Sequence, residues 1–461
     1  MFPYSLEDFI PEGHLSRVVD EIIDGFDTSS IERKYSDLGQ KSYHPKLLLK
    51  LLFYGYCTGI RSGRKLAAKC ESDTAYMFLA CMHKPDFRTI NDFRKDNIKL
   101  FEHFFLEVLK ICKKLGMVKV GELYVDGTKI LANASKKRTK SKQDYKEWQS
   151  RLEEEIRGVL KEAEETDAKE DALYGKSRGD ELPKGLRKKA ALREKIKSVI
   201  REMADDERIN LSDRDAKNIK GNGLIKPNYN CQTGVTENGI IVAGYVTNNA
   251  SDSGELMDVV DEAELNAGET FNEILADSGY GTFDSYEEME TRGKTAYVAD
   301  QTYSKERKQK YKNRLHGYEK SDFIYDKERD EYQCPQGKRL AYKGKDQEDN
   351  RHYRVYRGLS CNGCEVKHLC TKGKARIVKR EEREEIRERA IERLKSDEGK
   401  AKYTKRAYTI EPVFGNLKHN LNYTRFHLRG LCKVNGEFAL MCLASNIQKI
   451  NKLIVKLNKA A

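Results

Sequence analysis

Apolar residues recur at helical spacing through the first quarter of the chain. After Pro45, the residues Leu47, Leu48, Leu51, Leu52 and Tyr54 fall on one face, and a proline at the head of such a run is a helix-start signal. Phe93, Ile98, Phe101, Phe104, Phe105, Val108 and Leu109 predict one long helix over 89–115. Between these helices lies the short basic segment GIRSGRKLAAKC (59–70), bracketed by glycine. At Glu122 the period shortens, and ELYVDGTKILAN is a strand with an aspartate in its middle. Residues 136–206 are helical again and heavily charged. Leu152, Ile156, Val159 and Leu160 form one stripe there, and Leu186, Ala190, Ile196 and Ile200 another. Gly and Pro in LYGKSRGDELPKG (173–185) separate them, which predicts an antiparallel helical hairpin.

Strand pattern returns at 228–235 and 239–247, joined by a turn at 236–238. A helix over 255–265, a buried strand over 272–277, a helix over 282–293 and a short strand over 295–299 follow. A basic segment carrying cysteines then runs to about 378, and helices close the chain from 381 onward. Without its two insertions this order is a mixed sheet flanked by helices, the order of an RNase H-like α/β domain. The expected domains are an N-terminal helical, DNA-binding unit (1–120) and a catalytic unit (121–299 with 379–461). A charged arm (136–206) is inserted in the catalytic unit, and the basic cysteine-containing insertion occupies 300–378.

Charge sharpens the picture. The 461 residues are 35% charged and carry a net charge of +12, so polyanions are the first partners to consider. Arg61, Arg64 and Lys65 in the glycine-bracketed segment are candidate DNA contacts, and the alternative is a packing domain with a solvated basic edge. No apolar run is long enough to span a membrane, and the acidic N-terminus lacks the apolar stretch of a secretory signal. A cytoplasmic, nucleoid-associated location is expected. The eleven cysteines then stand as reduced thiols or metal ligands.

Three acids carry the candidate chemistry. Asp126 sits in the first strand, Asp277 at the end of a later one, and Glu411 on a late helix. Phosphodiester chemistry at neutral pH needs an activated nucleophile and a stabilised leaving oxygen. Two divalent cations held by carboxylates supply both. Each acid has a plainer alternative: a turn for Asp126–Gly127, a helix cap for Asp277, a first-turn glutamate for Glu411. Cys361-x2-Cys364 has metal-ligand spacing. With Cys334 and Cys370 it forms a candidate tetrahedral zinc set, with His368 as a substitute ligand; the alternative is four free thiols. Trp148, the one tryptophan, is expected to pack within the arm, and His419 and His427 have no assigned role.

Taken together, these segments resemble a bacterial insertion-sequence transposase of the DDE class. YVDGTKI resembles the strand of the first aspartate and ADSGY (276–280) the motif of the second. Tyr403, Arg406, Glu411 and Lys418 resemble the Tyr-Arg-Glu-Lys signature, with one extra residue between Arg406 and Glu411 compared with one large branch. HPKLLLKLLFYGYCTGIRSGRKLA resembles the N-terminal helical domain of such enzymes. The resemblance implies two Mg2+ (or Mn2+) ions at Asp126, Asp277 and Glu411, with DNA contacts by Tyr403, Arg406 and Lys418. It further implies double-stranded DNA as partner (terminal inverted repeats and target), strand transfer by a 3′-hydroxyl, and a homodimer on DNA. Two other classes fit the residues: a non-catalytic DNA-binding regulator on the same scaffold, and a metal-dependent nuclease that only hydrolyses.

Overall fold

The computed structural model describes residues 5–34, 42–174, 184–221, 223–301, 303–304, 318–348 and 351–460. Its helices and sheets form a mixed α/β protein. The N-terminal third is helical: α1 (Leu15–Asp24), α2 (Ser29–Glu32), α3 (Pro45–Cys57), α4 (Gly63–Ser72), α5 (Thr74–Leu79), α6 (Phe87–Asp96) and α7 (Leu100–Lys114). Pro45 occupies the first turn of α3, as its missing N–H allows. The helix expected over 89–115 is two helices. Asn97 ends the first by turning its side-chain amide back onto the Phe93 carbonyl at 2.9 Å, while Lys34 donates to its Oδ1. A side chain that competes for helix carbonyls breaks the run, although the apolar stripe continues.

The main sheet is built on β1 (Glu122–Leu131). It is joined by β4 (Lys217–Gly221), β5 (Leu224–Thr236), β6 (Ile241–Thr247), β7 (Glu273–Ala276) and β8 (Thr295–Val298), in the order β4-β5-β1-β7-β8 with β6 also on β5. β1 pairs antiparallel with β5 and parallel with β7, and β7 pairs parallel with β8. Between β6 and β7 runs α10 (Leu256–Ala267), closed by Gly268 at φ +66°, and α11 (Phe283–Thr291) links β7 to β8.

A small ribbon of β2 (Thr139–Ser141) and β3 (Arg208–Asn210) roots the charged arm, α8 (Lys142–Tyr174) and α9 (Lys184–Glu202). Tyr145 Oη donates to the Ile209 carbonyl at one end and Lys189 pairs with Glu155 further out, so the helices run antiparallel. The arm has its own small core, against which Trp148 packs with its ring stacked on Tyr145. The expected break at 173–185 lies mostly outside the described residues. After β8 comes a sheet that hydrophobic pattern alone did not announce: β9 (Ile324–Asp326), β10 (Glu331–Gln333), β11 (Arg339–Glu348), β12 (Arg351–Gly358) and β13 (Ile377–Glu381), an antiparallel meander. It also closes on a core of its own, centred on Phe323, Tyr332, Leu340, Tyr356 and Val378.

The chain ends in α13 (Glu384–Lys395), α14 (Asp397–Thr409), α15 (Glu411–Gly415), a π-helical turn (Asn416–Asn420) and α16 (Leu431–Ala460). A short helix, α12 (Lys367–Cys370), precedes β13. α16 packs on α1, α3, α7 and β6, so the N-terminal helices and the main sheet share one continuous core. Arg61 belongs to that junction, and its expected DNA contact is corrected here. It is 7% exposed, and its guanidinium bonds Glu437 of α16 at 3.2 Å and the carbonyls of Arg425 and Asn422. Glu437 is fully buried and also accepts the His427 and Leu428 amides.

Arg61→Ala leaves that buried carboxylate without its cation and is expected to cost about 3 kcal/mol of stability. Urea unfolding checks this, and a variant as stable as the parent refutes the clamp.

Candidate functional site

Strand pairing brings the first two acids together. Val125 of β1 lies beside Ala276 of β7 in a parallel register. Asp126, the next residue of β1, and Asp277, the residue just past β7, therefore lie side by side on neighbouring strands spaced about 4.8 Å apart. Burial pushes the Asp126 carboxyl up to about 6, and the nearby charges of Asp277 and Asp252 add to the rise. The Arg406 guanidinium opposes it, with Nη2 at 3.5 Å from Asp126 Oδ2. Asp126 also accepts the Gly127 amide, and Asp277 accepts the Gly279 amide.

Asp252, passed over in the sequence, is the third acid at this place. It precedes α10. Its Oδ1 accepts from Lys129 (2.9 Å), Asn230 (2.8 Å) and Gln232 (2.8 Å). Although burial works against ionisation, those donors hold its carboxyl below the usual range. Two glycines make room for it. A Cβ on Gly127 would stand 2.6 Å from Asp252 Oδ1, 2.9 Å from Gln232 Nε2 and 3.0 Å from Tyr280 Oη. A Cβ on Gly279 would stand 3.0 Å from Asp277 Oδ1 and 3.4 Å from Asp252 Oδ2, which bounds the separation of those two oxygens at about 6.4 Å. Tyr280 Oη donates to Gln232 Oε1 and braces the same group. The overlooked signal was Asn228, Asn230 and Gln232. Polar residues at strand period inside the buried stretch of β5 need partners, and Asp252 is the partner of the last two.

Glu411 opens α15 and is exposed. Its side chain makes no hydrogen bond or ion pair among the described residues, and it is not grouped there with the two aspartates as a ready metal-holding trio. It nonetheless lies on a segment anchored at both ends beside Asp126. Arg406 contacts Asp126 from before it. Lys418 follows it, and its ammonium is pushed down by burial and held up by Cys231 and Asp126. The Arg406 Nη1 donates to Tyr403 Oη at 3.4 Å and its guanidinium lies over the Tyr403 ring. Arg64 and Lys65 are exposed on α4, with Arg64 over the Phe87 ring.

Does this place suit hard divalent cations? The donors are carboxylate oxygens, which such ions prefer. Thr233, directly across from Asp126 in the β1–β5 register, is fully buried with an unpartnered Oγ1, a spare oxygen on the same face. The residues fit, with Arg406 compensating Asp126 as the chain stands. Among the described residues no three His, Cys, Asp or Glu side chains are already arranged to hold a metal ion.

The cysteines of the second sheet converge too. Cys334, Cys361, Cys364 and Cys370 line one cavity of about 30 Å3. Burial pushes the Cys370 thiol up, and the other three add to the rise. His368 does not line the cavity, and its Nδ1 is 3.1 Å from the Glu365 carbonyl. The cysteines outside this group are Cys57, Cys70, Cys112, Cys231 and Cys442, which are buried, and Cys81 and Cys432, which are exposed.

Residues 333–451 match a family model described as a transposase DDE domain, and residues 4–96 match one described as a transposase domain of the DUF772 type. No curated protein and no solved structure matches the chain. Among the described residues no helix is long and apolar enough to cross a membrane.

Asp126 binds its proton more tightly folded than unfolded, its pKa rising from 3.8 to about 6. Metal-free protein is therefore favoured at low pH and loses that advantage as pH rises through about 6. Asp126→Asn removes the penalty, so it is expected to stabilise the chelated protein at about pH 8 by up to ~3 kcal/mol and at about pH 4 hardly at all. Urea unfolding at the two pH values checks this, and an equal effect at both contradicts it.

Proposed function

The two transposase family matches support placing the chain among the bacterial insertion-sequence DDE transposases, and from that premise we propose that it cleaves the ends of its element and joins them to target DNA at Asp126, Asp277 and Glu411. The observation that carries the proposal is the parallel β1–β7 pairing, which supports Asp126, within β1, lying beside Asp277, just past the end of β7, with Arg406 and Lys418 near Asp126. The strand order, with antiparallel β6-β5-β1 continued by parallel β7 and β8, agrees with an RNase H-like core. Residues 121–299 and 379–461 would form that catalytic unit.

Asp126, Asp277 and, after a local rearrangement of α15, Glu411 would hold two Mg2+ or Mn2+ ions. Such ions, when bound, supply an activated water and neutralise the leaving oxygen. Asp252 positions this shell. Its charge is fixed by Lys129, Asn230 and Gln232, and Gln232 in turn accepts from Tyr280, which follows Asp277, so the network would hold the Asp277 loop. Arg406 would give up Asp126 as the site fills and turn its planar fork to a DNA phosphate, with Lys418 alongside. Tyr403 backs the guanidinium. Water-driven cleavage would free a 3′-hydroxyl, which then attacks a target phosphate in line. Arg64 and Lys65 would grip DNA from the N-terminal helices.

Terminal inverted repeats and target DNA are the proposed partners, with a homodimer on DNA and a cytoplasmic, nucleoid-associated location. Cys334, Cys361, Cys364 and Cys370 would close on a structural Zn2+ that pins the second sheet.

Asp126→Asn is expected to lower cleavage and joining by at least about a thousandfold while duplex binding stays within twofold. A cleavage and strand-transfer assay with Mg2+ reads the first and anisotropy the second. A variant that joins ends at the parent's rate rejects the assignment. Cleavage without joining of a pre-cut 3′-hydroxyl end would instead identify a hydrolytic nuclease.

Treatment with a strong chelator after thiol-specific unmasking is expected to release one zinc per chain and to lower the unfolding temperature. Metal analysis checks it, and zinc-free protein purified from zinc-supplied cells contradicts it.

A further inference from the structure

Two clefts of similar size open on the molecule, and they differ in charge. One, of about 850 Å3, lies beside the Ser278–Phe283 segment and the second sheet. Asp300, Glu319, Glu381, Glu384, Glu388 and Glu392 line it, against Lys320, Arg351, Arg387 and Lys395. The other, of about 880 Å3, is lined by Lys136, Arg138, Lys226, Arg425 and Arg429, and among the described residues no carboxylate lines it. None of these five cations forms a salt bridge among the described residues, although ion pairs cover much of the surface elsewhere, as in Arg389–Glu290 and Lys379–Glu348. Arg138 bonds Ser212 and Arg429 bonds Asn133, and Arg429 also acts at longer range on the buried Asp213 carboxylate. Lys136, Lys226 and Arg425 are exposed. Unpaired cations held around one groove repel one another, so the groove is a site waiting for a polyanion.

Its apolar wall narrows the choice of polyanion. Leu224 and Ile225, at the start of β5, are 56% and 51% exposed inside this ring of charge. Apolar side chains ringed by cations suit a ligand whose charged backbone borders stacked bases and sugars. The groove also lies on the same strand as Asp126. Leu131, in its wall, is five residues further along β1, about 17 Å at ~3.4 Å per residue. That is the length of roughly five base-pair steps. Lys129 lies on β1 between the two places, where it is paired with Asp252.

We propose that this groove, and not the acid-rich cleft beside Asp277, carries the duplex flanking the reacting phosphate. Lys136, Lys226 and Arg425 take successive backbone phosphates, and Leu224 and Ile225 press on the sugar and base edges. The inference rests on the reading of the chain as an enzyme acting on DNA, and it is tested on binding alone.

The experiment uses the full chain with Asp126→Asn, in chelator, and a labelled random-sequence duplex across a salt series. Lys136→Gln/Lys226→Gln/Arg425→Gln is expected to reduce the log–log salt slope by about 2–3 and the affinity by about 10–1,000-fold at moderate salt. A charge-matched control at the exposed Lys99, Lys114 and Lys119 is expected to stay within about twofold. Leu224→Ala/Ile225→Ala is expected to weaken binding with the salt slope unchanged. An unchanged slope in the groove variant, or an equal loss in the control, overturns the groove. Because all of these residues are exposed, matching melting curves identify a loss of binding as local. A parent chain that binds the duplex but never cuts would count against the catalytic reading and leave the groove standing.

Discussion

Everything at the centre of this molecule depends on holding like charges together across two adjacent parallel strands. β1 and β7 pair in register up to Val125 and Ala276, so Asp126, inside β1, lies beside Asp277, the residue just past the end of β7. In water such a pair would cost little. Partly buried, it raises the pKa of Asp126 and demands compensation. The chain supplies it from three directions: Arg406 on α14, Lys418 on the π-helical turn, and Lys129 on β1 itself through Asp252. The C-terminal helices are thus tied to the sheet by charge as well as by packing. The bare Cα positions of Gly127 and Gly279 follow from the same crowding, since side chains there would occupy the space the carboxylates need.

That centre is supported by a core that ignores the boundary read from sequence at residue 120. α16 lies against the N-terminal helices on one side and β6 on the other. The Arg61–Glu437 pair sits where the two meet, fully ringed by backbone donors and acceptors. Periodicity separates helical from strand-rich stretches well, but it says nothing about whether their apolar faces meet each other. Here they do, and an arginine in a basic loop that looks made for a phosphate is consumed by the junction.

What was legible in the sequence was whatever local pattern determines. The strand around Asp126, the hairpin of β5 and β6, the helix–strand alternation to β8 and the antiparallel arm all follow from apolar spacing and turn residues. The break at Asn97 was not legible, because one side-chain amide outweighed an unbroken stripe. Nor was the five-stranded meander after β8, whose short strands are polar and whose core is a handful of aromatic residues. Asp252 was invisible for a different reason. Its role is set by residues on another strand, and only the odd run of buried polar positions on β5 hinted at it.

The same centre bears on the placing of Glu411. Arg406 and Glu411 lie on consecutive helices, α14 ending at Thr409 and α15 opening with Pro412 in its first turn, where no amide is available to continue the first helix. Beside Asp126, electrostatics favours the Arg406 guanidinium and disfavours a further carboxylate. In the proposed metal-bound state, cations beside Asp126 would reverse both preferences, attracting Glu411 and repelling the guanidinium. On that proposal the joint at Ile410, between the end of α14 and the start of α15, is where the two groups would exchange, and the extra residue between Arg406 and Glu411 falls there.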